Sequence, residues 1–196
     1  MKNRYNITLV LLIVFLTTTN AQELPLSQLR VNNMMNNTFV DIDNDLEPYV
    51  GTWLYQEGTT SFKIVLQKKT NSYDSELNSY FDMLIGEYEY IENGVTVINT
   101  LPLLENPTIG DFNHNIYGYQ LYKNNINTEP GDARRVELEF KDPEYPYLWD
   151  FIRLRHYVEV GHYIDMLKSG RTQILTEDLP IVQRVPSDFY IMEKQP

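Results

Sequence analysis

Residues 81–101 read FDMLIGEYEYIENGVTVINTL, which is two β-rich runs separated by Asn93-Gly94. Toward the end of the first run the side chains alternate between acidic and apolar. The apolar phase holds Leu84, Tyr88 and Tyr90, and the acidic phase holds Glu87 and Glu89. A period of two predicts a strand with one dry face and one solvated face. Because Asn and Gly tolerate the positive φ of a two-residue turn, the stretch predicts a β-hairpin centred on Asn93 and Gly94.

The same period recurs in both halves of the chain. The dry phase consists of Phe62, Ile64 and Leu66 at residues 61–67, and of Val136, Leu138 and Phe140 at residues 136–141. Further strands are predicted at 115–122, 147–157, 162–167 and 188–194, with proline- and glycine-containing loops between them. Gly86, inside the run 81–91, predicts a bulge or sharp bend of the kind that closing a barrel requires. Eight to ten short strands with few short helical turns predict an all-β sandwich or barrel.

The first 21 residues carry the pattern of a secretory signal peptide. Lys2 and Arg4 precede an apolar run at 7–16, and Ala21 ends the small, polar stretch that follows. The run is about ten residues long and a bilayer-spanning helix needs roughly twenty, so a retained anchor is the weaker alternative. We therefore expect an exported protein, periplasmic or extracellular, with a loosely ordered N-terminal arm at 22–45 and a β-barrel domain at 46–196.

The composition excludes several classes of function. The chain has no cysteine, which excludes disulfides, thiolate metal sites and cysteine nucleophiles. The formal charge is −11, and removing Lys2 and Arg4 with the leader leaves 14 basic against 27 acidic residues, a charge of −13. A chain this acidic repels phosphate backbones, and no basic stripe reverses that effect. We expect no nucleic-acid partner, and no integral membrane segment once the leader is removed.

The tripeptide Gly51-Thr52-Trp53 follows a short helical turn and opens the first clear strand. It resembles the Gly-x-Trp opening of lipocalins and other calycin barrels. The resemblance implies a single antiparallel up-and-down β-barrel whose floor is closed by Trp53. It also implies that an arginine from a late strand, Arg153 or Arg155, packs over the indole, a contact that contributes about 0.5–2 kcal/mol.

Four runs carry a wider resemblance: YVGTW at 49–53, IVLQKK at 64–69, GEYEYIENG at 86–94 and VPSD at 185–188. They resemble an uncharacterised family of secreted Bacteroidetes proteins, a domain of unknown function. The resemblance implies export and the fold. It assigns no catalytic or binding residue.

The segment at 41–47 resembles the start of a calcium-binding loop of the EF-hand type, with Asp41, Asp43 and Asp45 at alternate positions. That loop needs glycine at its sixth position and glutamate at its twelfth, where this chain has Leu46 and Thr52. We therefore expect a solvated acidic turn. Weak calcium binding in another geometry is the alternative.

The three histidines also fail to form a recognisable metal site. No pair has the spacing of a helical zinc site, although His156 and His162 could approach one another across a hairpin that contains Glu159. His114 stands apart from this pair in the sequence. Exposed histidines are the simpler interpretation, and we expect no metal and no cofactor.

Catalytic patterns are equally weak. The chain has no Gly-x-Ser-x-Gly elbow, and its serines lie mostly in loops. The glutamates that can be placed, at positions 87, 89, 137 and 139, fall on the outward phase of strands, which predicts a solvated face. We expect no catalytic residue, so a hydrolase ranks third among the hypotheses.

Tyrosine is in excess, with 15 in the chain. Inward projection is plausible for Tyr88, Tyr90, Tyr117 and Tyr119, which would then line a cavity for a small, partly apolar ligand. Cross-strand packing pairs are the alternative. The leading hypothesis is a secreted, non-catalytic binding module with the ligand in, or at the mouth of, the barrel. The alternative is a cell-envelope interaction protein that binds an envelope protein through its long loops at 102–114 and 168–187.

Overall fold

The computed structural model describes residues 23–123, 134–157, 163–169 and 183–196, and all strands among them belong to one sheet. The strands are β1 (Glu23–Pro25), β2 (Thr38–Val40), β3 (Gly51–Glu57), β4 (Thr60–Asp74), β5 (Ser79–Glu92), β6 (Val95–Asn99), β7 (Ile116–Lys123), β8 (Arg134–Lys141), β9 (Trp149–Tyr157), β10 (Tyr163–Ser169) and β11 (Phe189–Lys194). Short 3-10 helices occur at Leu26–Gln28, Val31–Asn33, Glu47–Tyr49, Leu101–Glu105 and Asp111–Asn113. Among these residues no helix has the length and apolar character needed to cross a bilayer.

Eight strands close an antiparallel barrel. The strands follow one another around the barrel in the order β3, β4, β5, β7, β8, β9, β10 and β11, and each pairs with the next one in this order. β11 returns to β3 through the pairs Glu193–Leu54 and Lys194–Trp53, and β5 pairs with β7 in its middle. The all-β, up-and-down barrel predicted from the sequence is therefore confirmed.

β5 organises one side of the barrel because one of its edges has three partners in succession. It pairs with β2 near its start, with β7 in its middle and with β6 near its end, while β4 lies along its other edge. β6 follows through a two-residue turn at Asn93 and Gly94, whose φ values are +52° and +78°. The predicted Asn-Gly hairpin is confirmed.

Gly86 continues the β4–β5 ladder opposite Leu66 without a register shift, so the interruption predicted here is not a bulge. A Cβ atom at this position would lie 2.6 Å from Leu66 Cδ2 and 2.7 Å from the carbonyl oxygen of Val65. Glycine is required because the two strands approach closely at this point.

The barrel interior is a packed core around Phe62. The Phe62 ring meets four other aromatic rings with centroid separations of 5.2–6.2 Å, those of Tyr88, Tyr90, Phe140 and Tyr190. The six residues of the predicted dry phase are each at most 1% exposed: Phe62, Ile64, Leu66, Val136, Leu138 and Phe140. Side chains therefore fill the interior at this level of the barrel.

Trp53 lies fully buried at the end of the barrel where β3 begins. Its indole N–H donates to the Tyr49 carbonyl at 2.8 Å, and His156 packs edge-on at a centroid separation of 6.0 Å. The ammonium of Lys194 lies 5.3 Å from the indole centroid. A Cβ on Gly51 would lie 2.9 Å from Lys194 Cε, so glycine at this position leaves room for the lysine to reach the indole.

The two late-strand arginines face away from Trp53. In β9, Leu154 is inward and fully buried, so its neighbours Arg153 and Arg155 lie on the outer phase. Arg153 bonds Glu137 at 2.6 Å, and the guanidinium of Arg155 lies 4.5 Å from the ring centroid of Tyr157. The cation over the indole is therefore Lys194 rather than either predicted arginine.

The N-terminal segment packs against the barrel. β2 pairs in parallel with β1 and with the start of β5. Phe39 is fully buried and stacks on Phe81 at 5.4 Å, and Leu26 is 2% exposed. The prediction of a loosely ordered arm is therefore wrong for residues 23–45. The predicted leader at 1–21 lies outside the described residues, as does His162.

The acidic turn at 41–47 was predicted to be solvated, but Asp41 is buried. The Asp41 carboxylate accepts the backbone N–H groups of Asp45 at 2.8 Å and Leu46 at 3.1 Å, and it pairs with Lys68 at 2.7 Å. These bonds give the carboxylate a structural role in holding the turn that precedes β3.

Glu87 is also buried, although its phase in β5 predicted a solvated face. His114 Nδ1 lies 2.9 Å from one carboxylate oxygen, and the side-chain amide of Asn115 donates to the other at 2.7 Å. The cluster attaches the connection between β6 and β7 to the outer wall. A strand period cannot reveal a connection that folds over the outer face, and this is why the prediction failed.

The segment before β11 is held by an ion pair that has a testable pH dependence. Arg184 donates two bonds to Asp142, at 2.5 and 3.0 Å. Burial alone would raise the pKa of Asp142, but the bonds from Arg184 outweigh it and lower the pKa below 3.8. Because the folded-state pKa is the lower one, this stabilisation is present above pH 3.8 and is lost as the pH falls through the folded-state pKa.

We predict that Asp142→Asn lowers the free energy of unfolding at neutral pH by about 1–3 kcal/mol. Denaturant unfolding between pH 7 and pH 2 should show the difference from wild type narrowing below pH 3.8. Glu144→Gln is the matched control, because Glu144 also bonds Arg184 but its side chain is 58% exposed. A constant difference across the whole pH range would contradict the assignment.

Candidate functional site

A cleft of about 350 Å³ opens on the outer face of the barrel. Its walls come from β7, β8 and β9, from the β4–β5 turn, from the 3-10 helix Asp111–Asn113 and from Met34 of the N-terminal segment. The face is the outer one because the lining residues of β8 and β9 alternate with inward core residues such as Leu138 and Ile152. Its volume is within the range of small-molecule sites.

A register shift in β7 brings consecutive residues into the cleft. Tyr117 is opposite Glu139, but Gln120, and not Tyr119, is opposite Glu137, so β7 contains one extra residue here. Tyr119 and Gln120 both line the cleft as a result. Bulges commonly re-aim side chains in this way next to functional sites.

Stacked rings hold Tyr119 in place. Phe81 lies face to face with it at a centroid separation of 4.1 Å, and Phe39 stacks on Phe81. Phe112 packs edge-on against Tyr117 at 5.9 Å and against Tyr119 at 6.4 Å. Rings already held by neighbours lose little rotamer freedom when a ligand binds, so this wall is preorganised.

Carboxylates form the polar part of the cleft, contributed by Asp74, Glu76, Glu137 and Glu139. Glu137 is bonded by Arg153 and by the hydroxyl of Tyr122 at 3.0 Å. Glu139 accepts the hydroxyl of Tyr117 at 2.5 Å. These bonds fix the orientation of both carboxylates on the barrel wall.

The other two carboxylates lie on the β4–β5 turn. Asp74 accepts the backbone N–H groups of Glu76 at 2.9 Å and Leu77 at 3.1 Å, and the side chain of Glu76 extends from this turn. Asp74 therefore shapes the turn that presents both groups to the cleft.

Burial raises the pKa of Tyr119 to about 12, and the charges of Asp74 and Glu139 act in the same direction. Burial and the hydrogen bond to Glu139 likewise raise the pKa of Tyr117. Both phenols are therefore neutral at physiological pH. The negative charge of the cleft comes from its carboxylates.

The barrel wall divides the four predicted ligand-binding tyrosines. Tyr88 and Tyr90 face inward as predicted, but they belong to the packed core around Phe62. The Tyr88 hydroxyl donates to the carbonyl of Lys141 at 3.0 Å, and burial raises its pKa well above the usual value of 10.0. Their role in ligand binding stays a prediction.

Tyr117 and Tyr119 lie in the outer cleft, so the inward projection predicted for them is wrong. Ile116 and Leu121 face the core, since they pair with the inward Phe140 and Val136. The extra residue between them changes the phase of β7. Gly118 is a sequence feature that could have marked this bulge, since glycine inside a strand often does so, but the bulge was predicted only at Gly86.

The family can be assigned from the whole chain. A model described as a family of unknown function, DUF6705, matches residues 1–195. The chain belongs to this family. No curated protein and no solved structure shows a significant match. For this DUF6705 member the chemistry of the cleft therefore has to be inferred from its own residues.

The potential metal ligands in the described ranges do not cluster. Within them, no group of three or more histidine, aspartate or glutamate side chains has an arrangement that could hold a metal ion. The ring of His156 packs edge-on against the rings of Tyr49, at a centroid separation of 6.2 Å, and Trp53 at the end of the barrel. What the cleft offers is aromatic surface, oriented carboxylates and one amide.

Proposed function

We propose that this protein is an exported, non-catalytic binding module that holds a small, partly apolar ligand in the outer cleft. The observation that supports it is the preorganised aromatic wall around Tyr119, in a cleft large enough for a small molecule. The barrel interior is the weaker candidate, because the rings around Phe62 fill it at mid-height.

Export is part of the proposal and rests on the leader pattern of residues 1–21. Non-catalytic binding rests on the cleft residues themselves. The two wall carboxylates are already bonded to Tyr117 and to Arg153, and such bonds orient an acceptor for recognition.

The alternative is binding of an envelope protein through the loops at 102–114 and 168–187. Residues 170–182 lie outside the described residues. The end of the loop at 102–114 is tied to the barrel by His114 and by the adjacent Asn115, which gives it a structural role. The cleft is therefore the better-supported site.

The proposal is tested by screening a library of soluble amines, carboxylic acids, alcohols and sugars by NMR. We expect saturable shifts in the ring signals of Tyr117 and Tyr119. Gln120→Trp should fill the cleft from an exposed position and weaken binding by about tenfold or more. Thr96→Trp places the same bulk on the exposed strand β6, away from the cleft, and should leave binding unchanged.

Two outcomes would contradict the proposal. One is a screen in which no compound perturbs Tyr117 or Tyr119. The other is binding that Gln120→Trp and Thr96→Trp affect equally. NMR shifts confined to core residues such as Tyr88 would indicate that the ligand binds in the barrel interior.

A further inference from the structure

The charge balance around the cleft is negative. Four carboxylates line it. Two cations contact its residues: Arg153, which is bonded to Glu137, and Lys141, which lies over the ring of Tyr117. The protein as a whole has a net charge of −11, so no distant excess of positive charge offsets this local field.

One ring of the aromatic wall already has a cation of the chain over its face. The ammonium of Lys141 lies 4.3 Å from the centroid of the Tyr117 ring, which is a cation–π contact within the chain itself. The negative face of an aromatic ring attracts ammonium groups, and carboxylates beside the ring strengthen that attraction. Tyr119, Phe112 and Phe151 offer further ring surface in the same cleft.

The β4–β5 turn contributes two carboxylates to the same cleft. Asp74 uses its Oδ1 to accept backbone N–H groups, and Glu76 belongs to the same turn. An ammonium group over the rings would therefore be flanked by carboxylates of the turn and of β8. The same four carboxylates would repel an anionic ligand.

We infer that the cleft selects an organic cation, a ligand with an ammonium group on a compact apolar body. This inference rests on the proposed function, because it names the ligand class of the same cleft. The inference is correct only if the cleft prefers the positive charge of the ligand, and not only its aromatic or alkyl group.

Three soluble probes of nearly equal shape test the inference: 2-phenylethylamine, 2-phenylethanol and phenylacetate. Titrations followed on the Tyr117 and Tyr119 ring signals should show the amine binding about tenfold more tightly than the alcohol, with phenylacetate weakest. Raising the sodium chloride concentration to about 0.5 M should weaken binding of the amine and leave binding of the alcohol nearly unchanged.

The charge preference should depend on the turn. The double variant Asp74→Asn/Glu76→Gln keeps the shape of both side chains and removes two charges. We expect the amine-to-alcohol affinity ratio to fall about fivefold, because the amine loses two favourable charges that the alcohol does not use. Glu105→Gln, an exposed carboxylate outside the cleft, is the matched control and should leave the ratio as in wild type. Thermal unfolding of each variant verifies that the fold is intact.

The outcomes separate this inference from the proposed function. Equal binding of amine and alcohol at the cleft overturns cation selection and leaves the binding module standing. Tight binding of methyl β-glucoside with no amine preference does the same and indicates a sugar site. Failure of all four probes to shift Tyr117 or Tyr119 overturns the cation inference, and a negative library screen as well would overturn the proposed function.

Discussion

Replacing Phe62 with alanine is expected to lower the free energy of unfolding by about 3–5 kcal/mol, since it removes a large buried ring and leaves a cavity. Phe62 is fully buried, and its ring contacts those of Tyr88, Tyr90, Phe140 and Tyr190. These rings come from β4, β5, β8 and β11, so one side chain links four strands of the barrel. The melting temperature should fall by roughly 10 °C.

Phe189→Ala is the matched control for this substitution. It removes the same ring from β11, where Phe189 is 52% exposed. Exposed substitutions of this kind usually change stability by less than about 0.5 kcal/mol. Denaturant unfolding of the two variants provides the comparison. Equal losses, or a loss below about 1 kcal/mol for Phe62→Ala, would show that the interior is not the packed core described above.

The second large effect is expected at a buried ion pair in the barrel. Lys168 donates to Asp150 at 2.9 Å, and each residue is 2% exposed. Burial lowers the pKa of Lys168, while the bond and charge of Asp150 act in the opposite direction. The ammonium also lies 5.3 Å from the centroid of the Phe140 ring. Lys168→Met should cost about 3–5 kcal/mol because the buried carboxylate of Asp150 loses the ammonium group that bonds it.

The double variant Lys168→Met/Asp150→Leu should recover most of that loss, because two apolar side chains remove both desolvated charges. Lys63→Met is the surface control. Lys63 pairs with Glu89 at 3.4 Å, and the lysine side chain is 37% exposed, so a change of about 0–1 kcal/mol is expected. Urea unfolding measures all three variants. A double variant as unstable as Lys168→Met alone would argue against an electrostatic origin of the loss.

Much of the fold was predictable because it follows from local rules. Alternation in β4 and β8 identified six inward residues, one of which is Phe62, and the turn preference of Asn93 and Gly94 identified the β5–β6 hairpin. Both depend on neighbours within a few residues along the chain. Closure of the ring between β11 and β3 joins residues far apart in the sequence, and it was inferred from resemblance to a barrel family.

The candidate site was predictable only in part. Tyr117 and Tyr119 were singled out as tyrosines of a strand, yet their side of the barrel wall was wrong because one extra residue in β7 changes the phase. Glu137 and Glu139 were placed on the outer phase correctly, but that phase was interpreted as solvated. The N-terminal segment and the β4–β5 turn convert this part of the outer face into a cleft.

By itself, the sequence determined the acidic charge, the absence of cysteine, the strand periods and the inward core, since each is set by composition or by the two-residue repeat. Only the tertiary structure decided which outward positions are covered: Glu87 by His114 and Asn115, and the cleft by residues of distant elements. The physical reason is that alternation specifies on which side of a sheet a residue lies, whereas coverage depends on where distant segments fold back onto that side.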